Sequence, residues 1–286
     1  MILPKAVERV LVPPIKCQGI KTKLVRFLCE NITWSGQGRW IEPFLGSGVV
    51  LFNVNPKRAL VSDTNLHVIN LYREIQKGKM TGPLVKAYLE EQGQLLSQGG
   101  QTYYNQVRER FNSQATSLDF LFLNRSCFNG MMRFNRKGQY NVPYGHKPER
   151  FSKAYVTKIA NQVDAIALIL RDKQWEFRVR DWREALGSVH EDDFVYLDPP
   201  YVGRYADYFN QWTAADAVEL AAYTRSLPSG FAVSMWLENQ YRHNHHVDEH
   251  WAGLAVRTES HFYHLGATQS LRHAMKEGLI LGNPPR

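Results

Sequence analysis

Along the chain the spacing of apolar positions switches repeatedly between strand and helix periods. Trp40-Ile41 predicts a short strand that breaks at Gly46-Ser47-Gly48, and the apolar run Val49–Phe52 opens a helix. Arg58–Asp63 predicts a second strand ending on an acid, followed by helical periodicity over Leu66–Ile75. Strand, glycine turn, helix, strand and acid, in that order, is the layout of a nucleotide-binding α/β unit. From about Met80 to Asn124 the period is helical, in segments at Leu84–Leu96, Tyr103–Phe111 and Leu118–Leu123. Gly138, set between aromatic-flanked extended stretches in Phe134–Tyr140, predicts a β-hairpin. The α/β rhythm resumes after Phe151: a helix over Val156–Leu170, a strand over Trp175–Val179 and a buried strand over Phe194–Leu197 that ends at Asp198. A helix over Asp216–Arg225, an extended stretch at Phe231–Met235 and a late strand at Ser260–His264 follow. The expected fold is α/β, with residues 1–78 and 151–286 forming one domain and residues 79–150 an inserted helical and hairpin module.

Composition adds little to that picture until charge is considered. With 44% hydrophobic and 22% charged residues, the 286-residue chain has ample material for a core and is not a disordered sequence. Its formal charge of +8 favours a polyanionic partner. The excess is clustered. Between Asn124 and Arg150 six basic residues (Arg125, Arg133, Arg136, Lys137, Lys147, Arg150) face one acid, Glu149, with aromatics and asparagines interleaved, as a nucleic-acid surface requires. Cys17, Cys29 and Cys127 form neither a metal-binding pair nor a disulfide framework. With no signal-peptide pattern and no apolar run near the ~18 residues of a membrane span, a cytoplasmic setting is expected.

Asp198-Pro199-Pro200-Tyr201 carries the most specific chemistry. It follows a short apolar strand, where open α/β sheets place ligands. Two prolines stiffen the turn, so a carboxylate and a backbone carbonyl can accept the two hydrogens of one amino group. Tyr201 offers a flat face for a base drawn out of its stack.

These residues resemble the catalytic motif of DNA adenine-N6 methyltransferases, and the chain as a whole, from about Pro13 to Tyr205, is similar to their Dam-type D12 class. Glu42-Pro43-Phe44-Leu45-Gly46-Ser47-Gly48 resembles the family's cofactor motif. Asn124-Arg125, Phe128-Asn129-Gly130 and Arg133–Gly138, running on to Asn141-Val142-Pro143-Tyr144-Gly145, resemble its target-recognition segment. The resemblance implies a Rossmann-like methyltransferase sheet, S-adenosylmethionine as cofactor, no metal, and double-stranded DNA as substrate, and it allows a cognate restriction endonuclease as partner. Catalysis is expected of Asp198, Pro199, Pro200 and Tyr201. Cofactor contacts are expected of Glu42, Pro43, Phe44, Gly46, Ser47, Gly48, Asp63 and Asp198. Arg180-Asp181-Trp182 resembles the segment at the cofactor adenine, which adds Asp181 and Trp182. Lys16-Cys17-Gln18-Gly19-Ile20-Lys21 matches the family's Lys-Trp-x-Gly-Gly-Lys in part, with Cys17 for tryptophan and Ile20 for glycine; Lys16, Gln18, Gly19 and Lys21 join the cofactor set, Lys21 as a contact to cofactor or phosphate. DNA contacts are expected of Arg125, Asn129, Arg133, Asn135, Arg136, Lys137, Asn141 and Pro143. Arg133 suits a guanine edge, and Arg136 and Lys137 suit phosphates.

Rival readings are weaker. N4-cytosine enzymes usually carry serine in place of Asp198. Cytosine-C5 chemistry needs a thiolate, typically after proline, and no cysteine here follows a proline. A DNA-binding protein without activity would not need the intact Asp198–Tyr201 motif. His243, His245, His246 and His250 lie in a polar stretch read as a solvated loop.

Overall fold

The computed structural model describes residues 3–201, 212–239, 241–262 and 274–283. Eight strands form one sheet: β1 (Trp40–Glu42), β2 (Arg58–Asp63), β3 (Gln174–Val179), β4 (Phe194–Leu197), β5 (Gly230–Asn239), β6 (Arg242–His243), β7 (Ala255–Phe262) and β8 (Ala274–Gly282). Their order is β3-β2-β1-β4-β5-β8-β7, with β6 paired to β5. β3, β2, β1, β4 and β5 run parallel, whereas β8 is antiparallel to both β5 and β7. The order reverses between β1 and β4, and this switch point is where open sheets leave a crevice at the carboxyl strand ends. Every residue of β1 and of β4 is buried, as expected of parallel strands covered on both faces.

Nine helices cover the sheet: α1 (Val25–Asn31), α2 (Val49–Val54), α3 (Leu66–Gln76), α4 (Gly82–Gln114), α5 (Ser117–Ser126), α6 (Lys153–Leu170), α7 (Trp182–Leu186), α8 (Ala214–Arg225) and α9 (His245–His250), counting those among the described residues. One core, rich in residues from α1 to α6, lies on one face of the sheet; a second, with Trp182, Leu220 and Trp251, lies on the other. Buried residues of the 79–150 segment, such as Leu89, Tyr104 and Phe122, belong to the first core together with Val61 and Tyr196 of the sheet. The helical segment therefore has no core separate from the sheet's. None of the described helices is long and apolar enough to cross a membrane.

Local chemistry sets the helix ends. Thr213 and Asp216 form a capping box at α8, and Asn65 caps α3 by accepting from the His67 amide. Long α4 is broken at Gly100, whose φ of 52° and ψ of −128° divide it near the interval left between the two expected helical segments. The expected hairpin reduces to a single antiparallel bridge, Phe134 to Tyr140. The Asn135 side chain takes the Lys137 and Gln139 amides at 2.9 and 3.0 Å, and this local bonding competes with a longer ladder. The His243–His250 stretch is not the expected loop but strand β6 followed by α9. β8, α1 and α7 were not anticipated, while His264 and Tyr205 lie outside the described residues.

Candidate active site

The four buried residues of β4 deliver Asp198 to the crevice beside the end of β1. Lys21, in the loop before α1, is buried there and makes an ion pair with Asp198, Nζ to Oδ1 at 2.9 Å. Its Nζ also donates to the Tyr201 phenol oxygen at 2.8 Å and to the Gly19 carbonyl at 3.3 Å. These three acceptors match the three hydrogens of an ammonium. Lys21, expected to contact cofactor or phosphate, holds these partners in the structure and also borders the chamber that extends from Asp198. The Tyr201 hydroxyl in turn donates to Glu277 Oε2 at 3.0 Å. Asp198, Lys21, Tyr201 and Glu277 thus form one connected row.

Burial would depress the Lys21 ammonium, but the Asp198 carboxylate, the Tyr201 oxygen and Glu277 outweigh it and hold its pKa well above the usual lysine range. Burial likewise raises the Asp198 carboxyl; Lys21 opposes that rise and Glu277 adds to it, so the pKa stays above the ordinary value. Glu42, at the end of β1, is buried and accepts from Trp40 Nε1 at 2.8 Å. Its carboxyl is pushed up to about 8 by burial, with Trp40 opposing and the Asp198 charge adding.

From Asp198 a chamber of about 360 Å³ extends along the carboxyl strand ends. Of the residues expected to hold a cofactor, Gln18, Gly19, Lys21, Glu42, Pro43, Phe44, Gly46, Ser47, Asp63, Asp181, Trp182 and Asp198 line it, and so do Pro199, Pro200 and Tyr201. Gly48 and Lys16 do not. Gly48 caps α2 with φ 72° instead. Asp63 accepts from the Gly46 amide at 2.9 Å and the Asn65 amide at 2.8 Å, so it braces the glycine turn. Asp181 caps α7 by accepting from the Arg183 amide at 3.0 Å and also borders the chamber. Trp212, which belongs to none of the motifs, lines it too, with its ring edge-on to Phe44 at 5.6 Å.

A family model of the D12 class N6 adenine-specific DNA methyltransferases matches residues 18–265. The chain belongs to this family. Among curated proteins it is 28% identical to the type II methyltransferase M.MjaIII of Methanocaldococcus jannaschii, over 80% of this chain and 84% of that one. It is 29% identical to the retron Ec67 DNA adenine methylase of Escherichia coli, over 73% and 70%, and 28% identical to the DNA adenine methylase of Vibrio cholerae, over 79% and 80%. The fold and reaction that the sequence resemblance implied, an α/β methyltransferase acting on adenine in DNA, are those of the family.

The residues expected to touch DNA divide on this methyltransferase. Asn129, Asn135, Arg136, Lys137 and Pro143 are exposed, and Asn135–Lys137 form the tip of the turn closed by Gly138. Arg133 is half-buried and held by Asn141: its Nε donates to Oδ1 at 2.8 Å and its Nη2 to the carbonyl at 3.1 Å. Arg125 is a correction. It is buried, and its Nη1 donates to the Pro14 carbonyl at 3.2 Å, because α5 presents it to the core rather than to solvent. Lys16 stands with it: the side chain of buried Asn124 brackets the Lys16 backbone, and burial together with Arg125, Arg150 and Lys147 lowers the Lys16 ammonium to about 8.

Two further features escaped the sequence. Glu277 lies on a strand with no motif, and no local signal marks it. His243, His245 and Asp248 bring ligand atoms within 4.8 Å of one another at exposed positions, with His243 Nε2 2.6 Å from Asp248 Oδ2. This closeness comes from the β6–α9 fold, which a loop would not have provided.

Proposed function

We propose that this methyltransferase holds S-adenosylmethionine in the chamber and methylates N6 of an adenine extruded from double-stranded DNA. The observation that carries the reading is the placement of the Asp198–Tyr201 turn at the floor of a chamber that also gathers Glu42, Asp63 and Asp181. A cationic, adenosine-bearing ligand fits that wall: Glu42, Asp63 and Asp181 border it, and the indole N–H groups of lining residues Trp182 and Trp212 are buried with no hydrogen-bond partner among the described residues. Glu42 suits the ligand's ammonium, Asp63 its ribose, and Asp181 and Trp182 its adenine. The cofactor would supply a methyl group on a sulfonium.

The chain's own residues do the rest. Adenine's amino nitrogen is a poor nucleophile because its lone pair delocalises into the ring. Hydrogen bonds from N6 to the Asp198 carboxylate and the Pro199 carbonyl favour a pyramidal nitrogen with a localised lone pair, and fixing that orientation supplies much of the rate gain. Pro200 stiffens the turn, and Tyr201 stacks on the extruded base, offsetting the few kcal/mol that extrusion costs. Residues 79–150 act as the target-recognition module, with Arg133 reading a base edge and Asn129, Asn135, Arg136, Lys137 and Pro143 following the backbone.

The test is modification mapping. The protein and S-adenosylmethionine are incubated with unmethylated genomic DNA, and modified bases are read by single-molecule sequencing, with D198A alongside. N6-methyladenine at one short motif, absent with a folded D198A, is expected. Unmodified DNA from a folded protein that binds the cofactor would overturn the reading.

A further inference from the structure

Glu277 sits in the middle of β8, paired with Trp236 of β5 on one side and Glu259 of β7 on the other, and it is only 2% exposed. A carboxylate buried inside a sheet weakens the fold unless it is paired. An apolar residue would fill the same place in a strand whose next members, Leu279 and Ile280, are core. Stability therefore does not explain the acid. Its geometry does: Oε2 accepts from the Tyr201 hydroxyl at 3.0 Å, while that hydroxyl accepts from Lys21 at 2.8 Å. The phenol is gripped from both sides, as donor to one group and acceptor from the other. Anchoring the phenol oxygen stops the ring from swinging about the Cα–Cβ bond, although that oxygen lies on the Cβ–Cγ axis and does not by itself stop rotation about it. Lys21 also lies 5.1 Å from the centre of that ring.

We propose that Glu277 is a positioning residue for base stacking: it fixes where the Tyr201 ring stands before the target base arrives. The inference rests on the reading that Tyr201 stacks on an extruded adenine. Glu277 touches neither base nor cofactor in this role; it acts through the phenol oxygen, and its charge also bears on Lys21 and Asp198. A strand on the antiparallel side of the sheet thereby fixes the platform that the parallel side carries. Without the carboxylate, Lys21 still contacts the phenol, but one of the hydrogen bonds that hold the ring is lost and the base meets a less firmly placed surface. Preorganisation of this kind appears in turnover more than in ground-state affinity.

The experiment is a double-mutant cycle with the full chain: wild type, E277A, Y201F and the double variant, with E277Q as the conservative replacement. Single-turnover methylation and KM for DNA are measured on a duplex carrying the site mapped for the wild type. The same duplex with 2-aminopurine at the target adenine reports stacking by quenching. E277A is expected to lower the methylation rate about tenfold with KM changed less than about threefold, and to leave 2-aminopurine brighter. Y201F, which loses the Lys21 contact as well, should lose at least as much, and the double variant should be no slower than Y201F, which already lacks the Glu277 hydrogen bond. E277Q, whose amide oxygen still accepts the phenol hydrogen, should recover most of the loss. Losses that multiply in the double variant, or quenching that stays at the wild-type level in a slowed E277A, would overturn the proposal. Should E277A fail to fold, the cycle is run with E277Q and Y201F, where multiplied losses again overturn it. A wild type that methylates no adenine would instead count against the functional reading itself, and is seen before any variant is made.

Discussion

Lys21 Nζ lies 2.9 Å from Asp198 Oδ1, an ion pair between a buried ammonium and a half-buried carboxylate at the point where adenine's amino group would be received. In the proposed reaction Asp198 accepts one hydrogen of N6, and it does so at full strength only while ionised. Burial lifts its carboxyl above the ordinary range, and Lys21 is the group that opposes the lift. Lys21→Met removes the opposition, so the carboxyl rises further and stays protonated to a higher pH. The acid limb of the kcat–pH profile should move to higher pH. The loss should be largest on that limb and shrink as pH rises, because the ionised fraction there grows about tenfold with each step of one in pH. A loss equal at every pH would mean that Lys21 does not act through the charge of Asp198.

Glu42 gives a pH dependence of stability whose sign follows from its raised carboxyl. In the unfolded chain it titrates in the usual carboxylate range, and in the folded protein at about 8. The proton-linked stability is complete below the ordinary range, declines through the window up to about 8, and is gone above it. Glu42→Gln carries no such proton. Melting of the ligand-free proteins from pH 5 to pH 9 should show the variant gaining on the wild type across that window, by a few kcal/mol at about 1.4 kcal/mol for each tenfold change in proton affinity. A constant difference between the two curves would show that Glu42 ionises normally.

Gly48 and Gly19 both have positive φ, 72° and 73°, but different surroundings. A Cβ on Gly48 would lie 2.8 Å from the Phe52 ring, whereas one on Gly19 would meet nothing within 4 Å. Gly19→Ala should lose only the backbone preference, about 1 kcal/mol, and Gly48→Ala at least about 2 kcal/mol because a core ring must also move. Urea denaturation separates them, and equal losses would mean that Phe52 has room to shift.

How much of this was legible depends on the distance over which each signal acts. β4 and its Asp-Pro-Pro-Tyr terminus are written in eight consecutive residues, and β1, β2 and the glycine turn are similarly local. Most of the chamber's lining comes from the same short segments. Lys21 was recognised, but its partners were not, because Tyr201 is 180 residues away and only the sheet brings them together. Glu277 joins from a strand that lies beside β5 only through antiparallel pairing. Arg125 misled because its neighbours in sequence are basic and polar, while its place on α5 points inward. Asn135 cut the hairpin short by a side-chain geometry that no period records.

Arg133 and Lys137 stand four residues apart and should fail differently. Asn141 holds the Arg133 guanidinium through two hydrogen bonds, which leaves the fork oriented before DNA arrives. Lys137 is exposed at the turn tip with no such brace. Arg133→Ala should relax sequence preference at one position, costing about 1–3 kcal/mol of discrimination. Asn141→Ala should cause part of the same loss by freeing the fork. Lys137→Ala should weaken binding to every duplex alike and reduce the slope of log affinity against log salt by about 1. Titrations of the mapped site and its single-base variants, at two or more salt concentrations, check all three. Equal relaxation by Arg133→Ala and Lys137→Ala would remove the division between base reading and phosphate clamping. An Asn141→Ala variant with full discrimination would show that the fork needs no brace.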